Sequence, residues 1–408
     1  MVTAAGVSAR PVVRASRCDH QATEEQIFET LQAITEPLDR SWERLSRARR
    51  VIIKFNMMQP DTQVIASRRQ ELVDEAVIRA VVRLIRQRTD ATLAALDTVL
   101  HTPGHLTPAD YPNTRVLAEL GVEFIDANAP PHRIYEVPGS GNMFDRYLLH
   151  AAIGESDEFV SVAKMKNHSF MGVTLSMKNL FGLPPSNQPT GRVRHYFHHA
   201  IRLSYVLPDL AMITDPCLNI IDGLVGQQGR EWRGRGVIPN TLVAGDQTTA
   251  TDACAAHLMG VDPTSDWPTP PFHRDRNHLL VAAERGYGTV HLDQIDFATE
   301  LQPPVAEFEN DQVDPPHIMH SIRRTACEQA LFYQQNRDRL VSDYVGQLIA
   351  LRQGEVVWKG TEQPTLTGHS DLAGDDPGQA AWLKVVDGDE TEGEAFGVYE
   401  KQLARLAG

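Results

Sequence analysis

The chain has 408 residues, of which 42% are hydrophobic and 23% charged, and its formal net charge is −14. This length allows two lobes, or one large domain with an appendage, in an ordinary globular protein. The negative charge argues against nucleic acid or an acidic membrane as a partner, and no apolar run reaches the length of a membrane span. The basic N-terminal segment lacks the apolar core of a secretory signal, so we expect a cytoplasmic location.

The first third of the chain alternates between helical and extended patterns. Apolar spacing predicts helices at 22–34, 70–88 and 114–121, and strands at 50–58, 91–99 and 122–128. Thr23, with Gln26 three residues later, is typical of a helix N-terminus. Strict alternation of strands and helices predicts a mostly parallel sheet flanked by helices, which is an α/β fold.

The alternation continues after residue 155 and then changes in character. We predict a strand at 156–168, a short helix before Gly182, a helix at 198–213, strands at 217–224 and 241–246, and a helix at 248–260. Beyond Pro315 come polar helices, a β-hairpin at 347–360 and an amphipathic helix at 394–406. We therefore predict an α/β region at 1–313, with two lobes meeting near 140–160, and a small C-terminal hairpin and helix module at 314–408.

Four scattered cysteines show no paired spacing. Because no CxxC motif is present, neither a structural zinc site nor an iron–sulfur cluster is predicted, and free thiols are expected. The cysteines are Cys18, Cys217, Cys254 and Cys327.

Lysine is used sparingly, since only seven of the 39 lysines and arginines are lysine. Three of the seven, Lys164, Lys166 and Lys178, lie in one short segment that also contains His168. Unlike arginine, lysine can lose its proton when it is desolvated. It can then act as a general base or as a Schiff-base amine. The segment is therefore a candidate functional site.

The ends of two predicted strands could bring lysine, histidine and asparagine side chains close together. Lys164, Lys166 and His168 lie towards the end of one predicted strand, and Lys54 and Asn56 lie similarly in another. Ligands of doubly wound sheets bind beyond the carboxyl ends of the strands, so these side chains predict an anion pocket. In an alternating strand, Lys164 and Lys166 point the same way, and we expect both to face the pocket.

Further polar residues extend the predicted site. Asp222–Gly223 ends a strand before a Gly-rich loop that matches no nucleotide-binding motif. Asp252 lies inside the helix at 248–260, beyond the capping position that we assign to Thr248. The predicted catalytic residues are Lys178, His168 and Lys164. The predicted substrate-binding residues are Lys54, Asn56, Lys166, Asn179, Asp222, Gly223 and Asp252.

Three histidines offer a metal-dependent alternative. His195, His198 and His199 fall within about one helical turn, from which two imidazoles can hold a metal. A third ligand would have to come from a residue such as Asp209 or Asp222. No cofactor is predicted in the preferred interpretation, and a divalent metal belongs to this alternative.

The stretch VSVAKMKNHSFMGVTLSMKNLFGLPP resembles the hallmark of the family catalogued as domain of unknown function 362. RVIIKFNMM resembles an upstream element of that family, and the histidine helix, Asp222–Gly223 and AGDQTTATDACAAHLMGVDP resemble later elements in the same order, over roughly residues 45–290. The resemblance implies an α/β fold and a shared pocket. It does not indicate which reaction the family catalyses. The chain departs from the pattern in lacking the ferredoxin-like cysteine segment of some relatives and the Gly-Gly-Pro turn of the loop.

The leading functional hypothesis is a cytoplasmic enzyme of isomerase or lyase type, in a biosynthetic pathway, that acts on a carboxylate or phosphate by Lys/His acid–base chemistry. One alternative is a metal-dependent hydrolase or redox enzyme that uses the histidine cluster. A second alternative is a non-catalytic anion-binding accessory protein. A homo-oligomer is compatible with each of the three.

Overall fold

The computed structural model describes residues 10–57, 61–99, 107–186, 194–311, 314–361 and 371–407, except for the side chains of Pro108 and His195. Most described residues belong to helices or strands. The strands are β1 Val12–Arg17, β2 Arg50–Phe55, β3 Val64–Ile65, β4 Arg68–Arg69, β5 Thr92–Asp97, β6 Glu123–Asp126, β7 His132–Glu136, β8 Arg146–His150, β9 Glu158–His168, β10 Gly172–Thr174, β11 Leu218–Gln228, β12 Arg235–Val237, β13 Thr241–Gly245, β14 Asp296–Thr299, β15 Leu348–Arg352, β16 Glu355–Gly360 and β17 Trp382–Val385.

The helices vary from single turns to five turns in length. The α-helices are α1 Glu24–Thr35, α2 Asp39–Arg47, α3 Glu75–Arg86, α4 Pro112–Glu119, α5 Ala152–Glu155, α6 Ser176–Asn179, α7 Arg194–Phe197, α8 Arg202–Thr214, α9 Thr248–Leu258, α10 His278–Glu284, α11 Pro316–Gln335, α12 Arg337–Tyr344 and α13 Gly397–Ala407. Short 3₁₀ turns lie at Pro108–Asp110, Leu180–Gly182 and Leu292–Gln294.

One large sheet carries the fold, with the order β14-β1-β13-β11-β9-β2-β5-β6. The block from β11 through β9, β2 and β5 to β6 is parallel, whereas β13 is antiparallel to both of its neighbours. Strands β10 and β12 extend β9 and β11 as antiparallel branches. The predicted mixed α/β class is therefore confirmed. Strands from before and after residues 140–160 are adjacent, since β2 pairs with β9.

The central strands are continuous hydrophobic runs because helices cover both faces of the sheet. Helices α1 and α3 cover one face, where Ile53 and Val162 are buried with Val81. The lysine-segment helix α6, with α8 and α9, covers the other. A parallel strand covered on both sides needs apolar residues in both directions.

Local sequence signals set the starts of several helices. Thr23 and Gln26 form the predicted capping box at α1. Asp74 caps α3 by accepting a hydrogen bond from the N–H of Ala76. The prediction for α9 is wrong in one detail, because the side chain of Gln247, not Thr248, accepts the capping hydrogen bond from Ala250.

Strand β9 continues through the lysines to His168, where the predicted strand also ends. Its neighbour β11 likewise continues to Gln228, and the register shifts between Asp222 and Gln227. This irregularity places Asp222 opposite Lys164 and Gln227 opposite Lys166. The two lysines therefore meet different surroundings although they share one side of the strand.

The C-terminal hairpin and helix are present as predicted. Strands β16, β15 and β17 form a separate sheet. Its centre holds a buried ionic network in which the ammonium of Lys384 contacts Glu390, Glu392 and Glu394. Glu394 also accepts a hydrogen bond at 2.7 Å from Arg202 in α8. The network therefore joins this module to the helices of the large sheet.

Replacing Lys384 should strongly destabilise the protein. In Lys384→Met, the almost fully buried carboxylate of Glu392 loses the cation and that of Glu394 keeps only Arg202, and breaking such a network costs about 3–5 kcal/mol. Urea unfolding followed by circular dichroism measures this loss. The exposed Lys401→Met is the matched control and should change the free energy of unfolding by less than about 0.5 kcal/mol. Similar losses in both variants would contradict the assigned role of the network.

Candidate functional site

A cavity of about 280 Å³ lies at the carboxyl ends of β2 and β9. It brings together six of the ten predicted catalytic and substrate-binding residues, which come from two separate segments of the chain, 54–56 and 166–179. The cavity is lined by Lys54, Asn56, Lys166, His168, Thr174, Lys178, Asn179, Phe181, Gly182, Arg194, His198, Glu231 and Trp232.

Lys54 is held as part of the cavity wall. Its ammonium lies 2.9 Å from a carboxylate oxygen of Asp97 at the end of β5. It also donates hydrogen bonds to the Phe55 carbonyl at 2.9 Å and to Asn179 Oδ1 at 3.1 Å. Burial lowers the pKa of Lys54 and raises that of Asp97, while the two charges oppose these shifts. With three acceptors, Lys54 has no donor left for a ligand.

Gly182 allows this ion pair to form beneath the lysine segment. A Cβ atom at residue 182 would lie 2.6 Å from Lys54 Cε and would also overlap the carboxylate of Asp97. Only a residue without a side chain can therefore lie against the pair.

Asn179 anchors helix α6 to the sheet. Its amide group donates to the Lys54 carbonyl at 2.8 Å, to Ser161 Oγ at 3.1 Å and to the Val162 carbonyl at 3.3 Å. These bonds connect helix α6 to the end of β2 and to the middle of the adjacent strand β9. Asn179 thus has a positioning role in addition to lining the cavity.

Lys166 lies opposite Lys54 and is also well bonded. Its ammonium donates to the Glu71 carbonyl at 2.9 Å and the Glu231 carbonyl at 3.2 Å, and it lies 4.2 Å from the ring centroid of Trp232. Burial lowers its pKa to about 7, against the pull of the nearby carboxylates. Lys166 can therefore carry a positive charge into the cavity and can release a proton.

Lys178 differs from the other buried lysines. Within the described part of the chain, its nitrogen has no hydrogen-bond acceptor or carboxylate partner and contacts the ring of Phe181 at 4.7 Å. Burial lowers its pKa to about 7, and the positive charge of Arg194 lowers it further. Close to neutral pH, a substantial share of the protein therefore carries Lys178 as a free amine.

His168 is held as a neutral hydrogen-bond donor. Its Nδ1 accepts hydrogen bonds from the N–H groups of Phe170 at 3.0 Å and Met171 at 3.2 Å, so the proton lies on Nε2. Burial lowers its pKa well below the ordinary value, and neighbouring cations add to this effect. The ring is therefore better suited to donating a hydrogen bond to an anion than to accepting a proton.

Glu231 is the one acidic side chain among the residues that line the cavity. Burial alone would raise its pKa, but hydrogen bonds from Ser169 N–H at 3.0 Å and Ser169 Oγ at 2.8 Å favour the carboxylate, and its pKa is lowered. Its single negative charge acts on Lys166 and Lys178, and Arg194 adds a third cation to the lining. The lining therefore has an excess of positive charge.

Four predicted residues lie outside the cavity. Lys164 is fully buried and pairs with Asp222 at 3.0 Å, and Asp222 also accepts the N–H groups of Asp74 and Leu224. A Cβ at Gly223 would lie 2.9 Å from the Thr241 carbonyl, so this glycine serves close packing.

Asp252 acts on the site from a distance. Its two carboxylate oxygens accept the N–H groups of Ser176 at 2.9 Å and Met177 at 2.7 Å, which begin α6. The residue caps the helix that carries Lys178. Burial raises its pKa to about 7 although these hydrogen bonds lower it.

The histidine cluster is divided. His198 lines the cavity, with its ring centroid 6.3 Å from that of His168, whereas the side chain of His195 lies outside the described residues. Asp209 and Asp222, the proposed third ligands, already accept several hydrogen bonds each. Among the side chains that the structure describes, no group of three or more His, Cys, Asp and Glu is placed to hold a metal ion.

Sequence reasoning missed several cavity residues, for different reasons. Arg194 is one of 32 arginines, and nothing in the sequence distinguishes it from the others. Glu231 and Trp232 lie in a loop that matches no nucleotide-binding motif. Asp97 could have been found, because it ends a buried strand next to the strand that ends in Lys54. The buried cysteines are free, as predicted.

The charge of Lys178 should make stability depend on pH. The folded protein lowers its pKa from 10.5 to about 7, so it holds fewer protons than the unfolded chain between those values. The contribution of Lys178 to stability therefore becomes less favourable as pH falls from 10.5 to 7. The stability advantage of Lys178→Met over the wild type should therefore be larger at pH 6 than at pH 9 by roughly 2.5 kcal/mol, because one pKa unit corresponds to about 1.4 kcal/mol.

Urea unfolding at several pH values measures this difference. The exposed Lys359→Met is the control, and its difference from the wild type should not change with pH. A constant difference for Lys178→Met would mean that the folded protein leaves the pKa of this amine unchanged.

No helix in the described part of the chain is both long and apolar enough to cross a membrane. A thylakoid-associated protein of Synechocystis is 25% identical over 128 residues, which cover 30% of this chain and 38% of that protein. The lactate racemase apoprotein of Thermoanaerobacterium thermosaccharolyticum aligns with a TM-score of 0.34 at 12% identity, over 62% of this chain and 57% of that one. The chain thus spans less than two thirds of either protein.

The family model described as domain of unknown function, DUF362, matches residues 51–257 of the 408. The match includes both strand ends, the lysine segment and helix α9. This chain belongs to the DUF362 family.

Proposed function

We propose that the protein is an enzyme that binds a small carboxylate or phosphate and moves a proton at a carbon atom of that ligand, as an isomerase or lyase does. One observation carries the proposal: the amine of Lys178 is buried in a cavity wall beside other cations and has no acceptor within the described residues. Titratable groups with shifted pKa values in a cleft are typical of catalytic sites.

Charge favours an anion in the cavity. Lys166, Lys178 and Arg194 outnumber the single lining carboxylate, Glu231. Electrostatic attraction is stronger in a buried site than in water, because the surroundings are less polarisable. A bound carboxylate would supply the negative charge that Lys178 lacks.

The two titratable groups support different steps. Lys178 in its neutral form can take a proton from the carbon next to the carboxylate, since its pKa of about 7 lies near the working pH. The electron pair left on carbon is then delocalised onto the carboxylate or carbonyl oxygen. His168 can donate its Nε2–H to that oxygen, and Lys166 adds positive charge. Returning the proton gives an isomer, and loss of a neighbouring group gives a lyase product.

The size of the cavity restricts the ligand. Its volume of about 280 Å³ is at the lower end of ligand pockets in proteins. A small organic acid or phosphate therefore fits better than a nucleotide or a peptide. The cytoplasmic location and the biosynthetic role remain predictions from the sequence.

The proposed proton transfer can be followed without knowing the product. Small carboxylates and phosphates that raise the melting temperature are incubated with the protein in D₂O, and NMR detects deuterium at carbon. Lys178→Met should lower the exchange rate by about 10²–10⁴-fold, because a general base is removed. The wild-type rate should rise with pH up to about 7, as the amine loses its proton.

The outcome separates the alternatives. Ligands that bind without any exchange or conversion would favour the non-catalytic accessory protein. An unchanged rate in Lys178→Met would show that another group is the base.

Arg194 should contribute to binding more than to folding. Arg194→Gln should weaken the binding of a ligand that undergoes exchange by about tenfold, because a cation of the wall is lost. Isothermal titration calorimetry measures the dissociation constant. The exposed Arg86→Gln on α3 is the control and should leave it unchanged. Equal affinities for both variants would remove Arg194 from the site.

A further inference from the structure

We infer that Lys178 forms a covalent iminium (Schiff base) with a small 2-oxo acid in the cavity. This inference rests on the proposed function, because it places the anionic substrate in the same site and defines its class. In the proposed function the proton leaves a carbon atom next to a carboxylate. In this inference the proton leaves a carbon atom next to the C=N bond of the iminium.

The hydrogen bonds of the buried lysines distinguish this residue from the others. Lys54 contacts three acceptors, Lys164 pairs with Asp222, and Lys166 donates to two carbonyl groups and faces an aromatic ring. Within the described residues, the nitrogen of Lys178 has no hydrogen-bond acceptor and contacts the ring of Phe181. An ammonium with no acceptor is costly to bury, whereas a neutral amine has a free electron pair.

The surroundings of Lys178 suit the two functional groups of a 2-oxo acid. Lys166 and Arg194 supply charge for the carboxylate, on the wall that also holds the amine. The ketone then lies one bond away, within reach of the nitrogen. The Nε2–H of His168 and the hydroxyl of Thr174, which has no hydrogen-bond partner in the described structure, are available to the carbonyl oxygen.

The depressed basicity of Lys178 supports the same chemistry. Lys166 has a similar pKa of about 7, but it donates two hydrogen bonds to backbone carbonyl groups, whereas Lys178 donates none within the described residues. The pKa values therefore do not distinguish Lys166 from Lys178 as the reacting amine. Their hydrogen bonds do.

The reaction balances without an oxidant or a reductant. The amine nitrogen attacks the ketone carbon, and the π electrons of the C=O bond move to oxygen. The neutral amine carries two hydrogens and gives up one of them, which leaves with the oxygen as water together with one proton taken from the solvent. A C=N bond forms and keeps the positive charge, which acidifies the hydrogens on the adjacent carbon.

Reductive trapping tests the inference on the full chain. The wild-type protein is incubated with pyruvate and sodium borohydride, and the adduct is located by peptide mass spectrometry. We expect one adduct, on Lys178, and none on Lys166, which serves as an internal control in the same cavity. Acetone, which has the ketone but no carboxylate, should give at least tenfold less adduct.

Two variants keep the result interpretable. Lys178→Met and Lys178→Arg should both lose the adduct while retaining the wild-type circular dichroism spectrum, and the arginine variant also retains the charge. An adduct on another lysine, or no adduct in the wild type, would overturn the inference. If the wild type gives no adduct but the deuterium exchange still depends on Lys178, the amine acts only as a base and the proposed function stands.

Discussion

The cost of burying lysine amines governs this site. Lys54, Lys164, Lys166 and Lys178 are each more than nine-tenths buried at one end of the sheet. A buried ammonium must find acceptors or lose its proton. The fold provides acceptors for three of them through strand ends, backbone carbonyls and two carboxylates. The fourth is left with an aromatic ring, and its chemistry follows from that lack.

The ends of the parallel strands make this arrangement possible. Adjacent strands β5, β2, β9 and β11 end close together, so residues that are far apart in sequence supply charges, amides and backbone carbonyls to a small volume. The loop after β11 then covers the site with Glu231 and Trp232. Helix α6, which Asp252 caps, brings Lys178 into the same cavity. The rigid sheet thus fixes the acceptors, and the covering segments bring the reactive amine.

The sequence predicted the fold class and most central elements, because apolar periodicity and capping residues are local signals. Scarce lysines in an arginine-rich chain also indicated the site. Pairing between distant residues is not local, and so the roles within the site were harder to predict. Nothing in the alternation of β9 shows that Asp222 neutralises Lys164, or that the irregular register of β11 separates Lys164 from Lys166. Likewise, Asp252 carries no local sign that it caps a helix elsewhere in the chain.

The absence of a side chain at Gly182 links three positions that are distant in sequence. Any larger residue there would displace the ion pair between Lys54 and Asp97. A homologue with a side chain at the position of residue 182 should therefore also have replaced the lysine and the carboxylate, with smaller or uncharged residues that leave room for it. Positions 54, 97 and 182 are thus expected to change together during evolution. The residue at position 178 can vary independently of them.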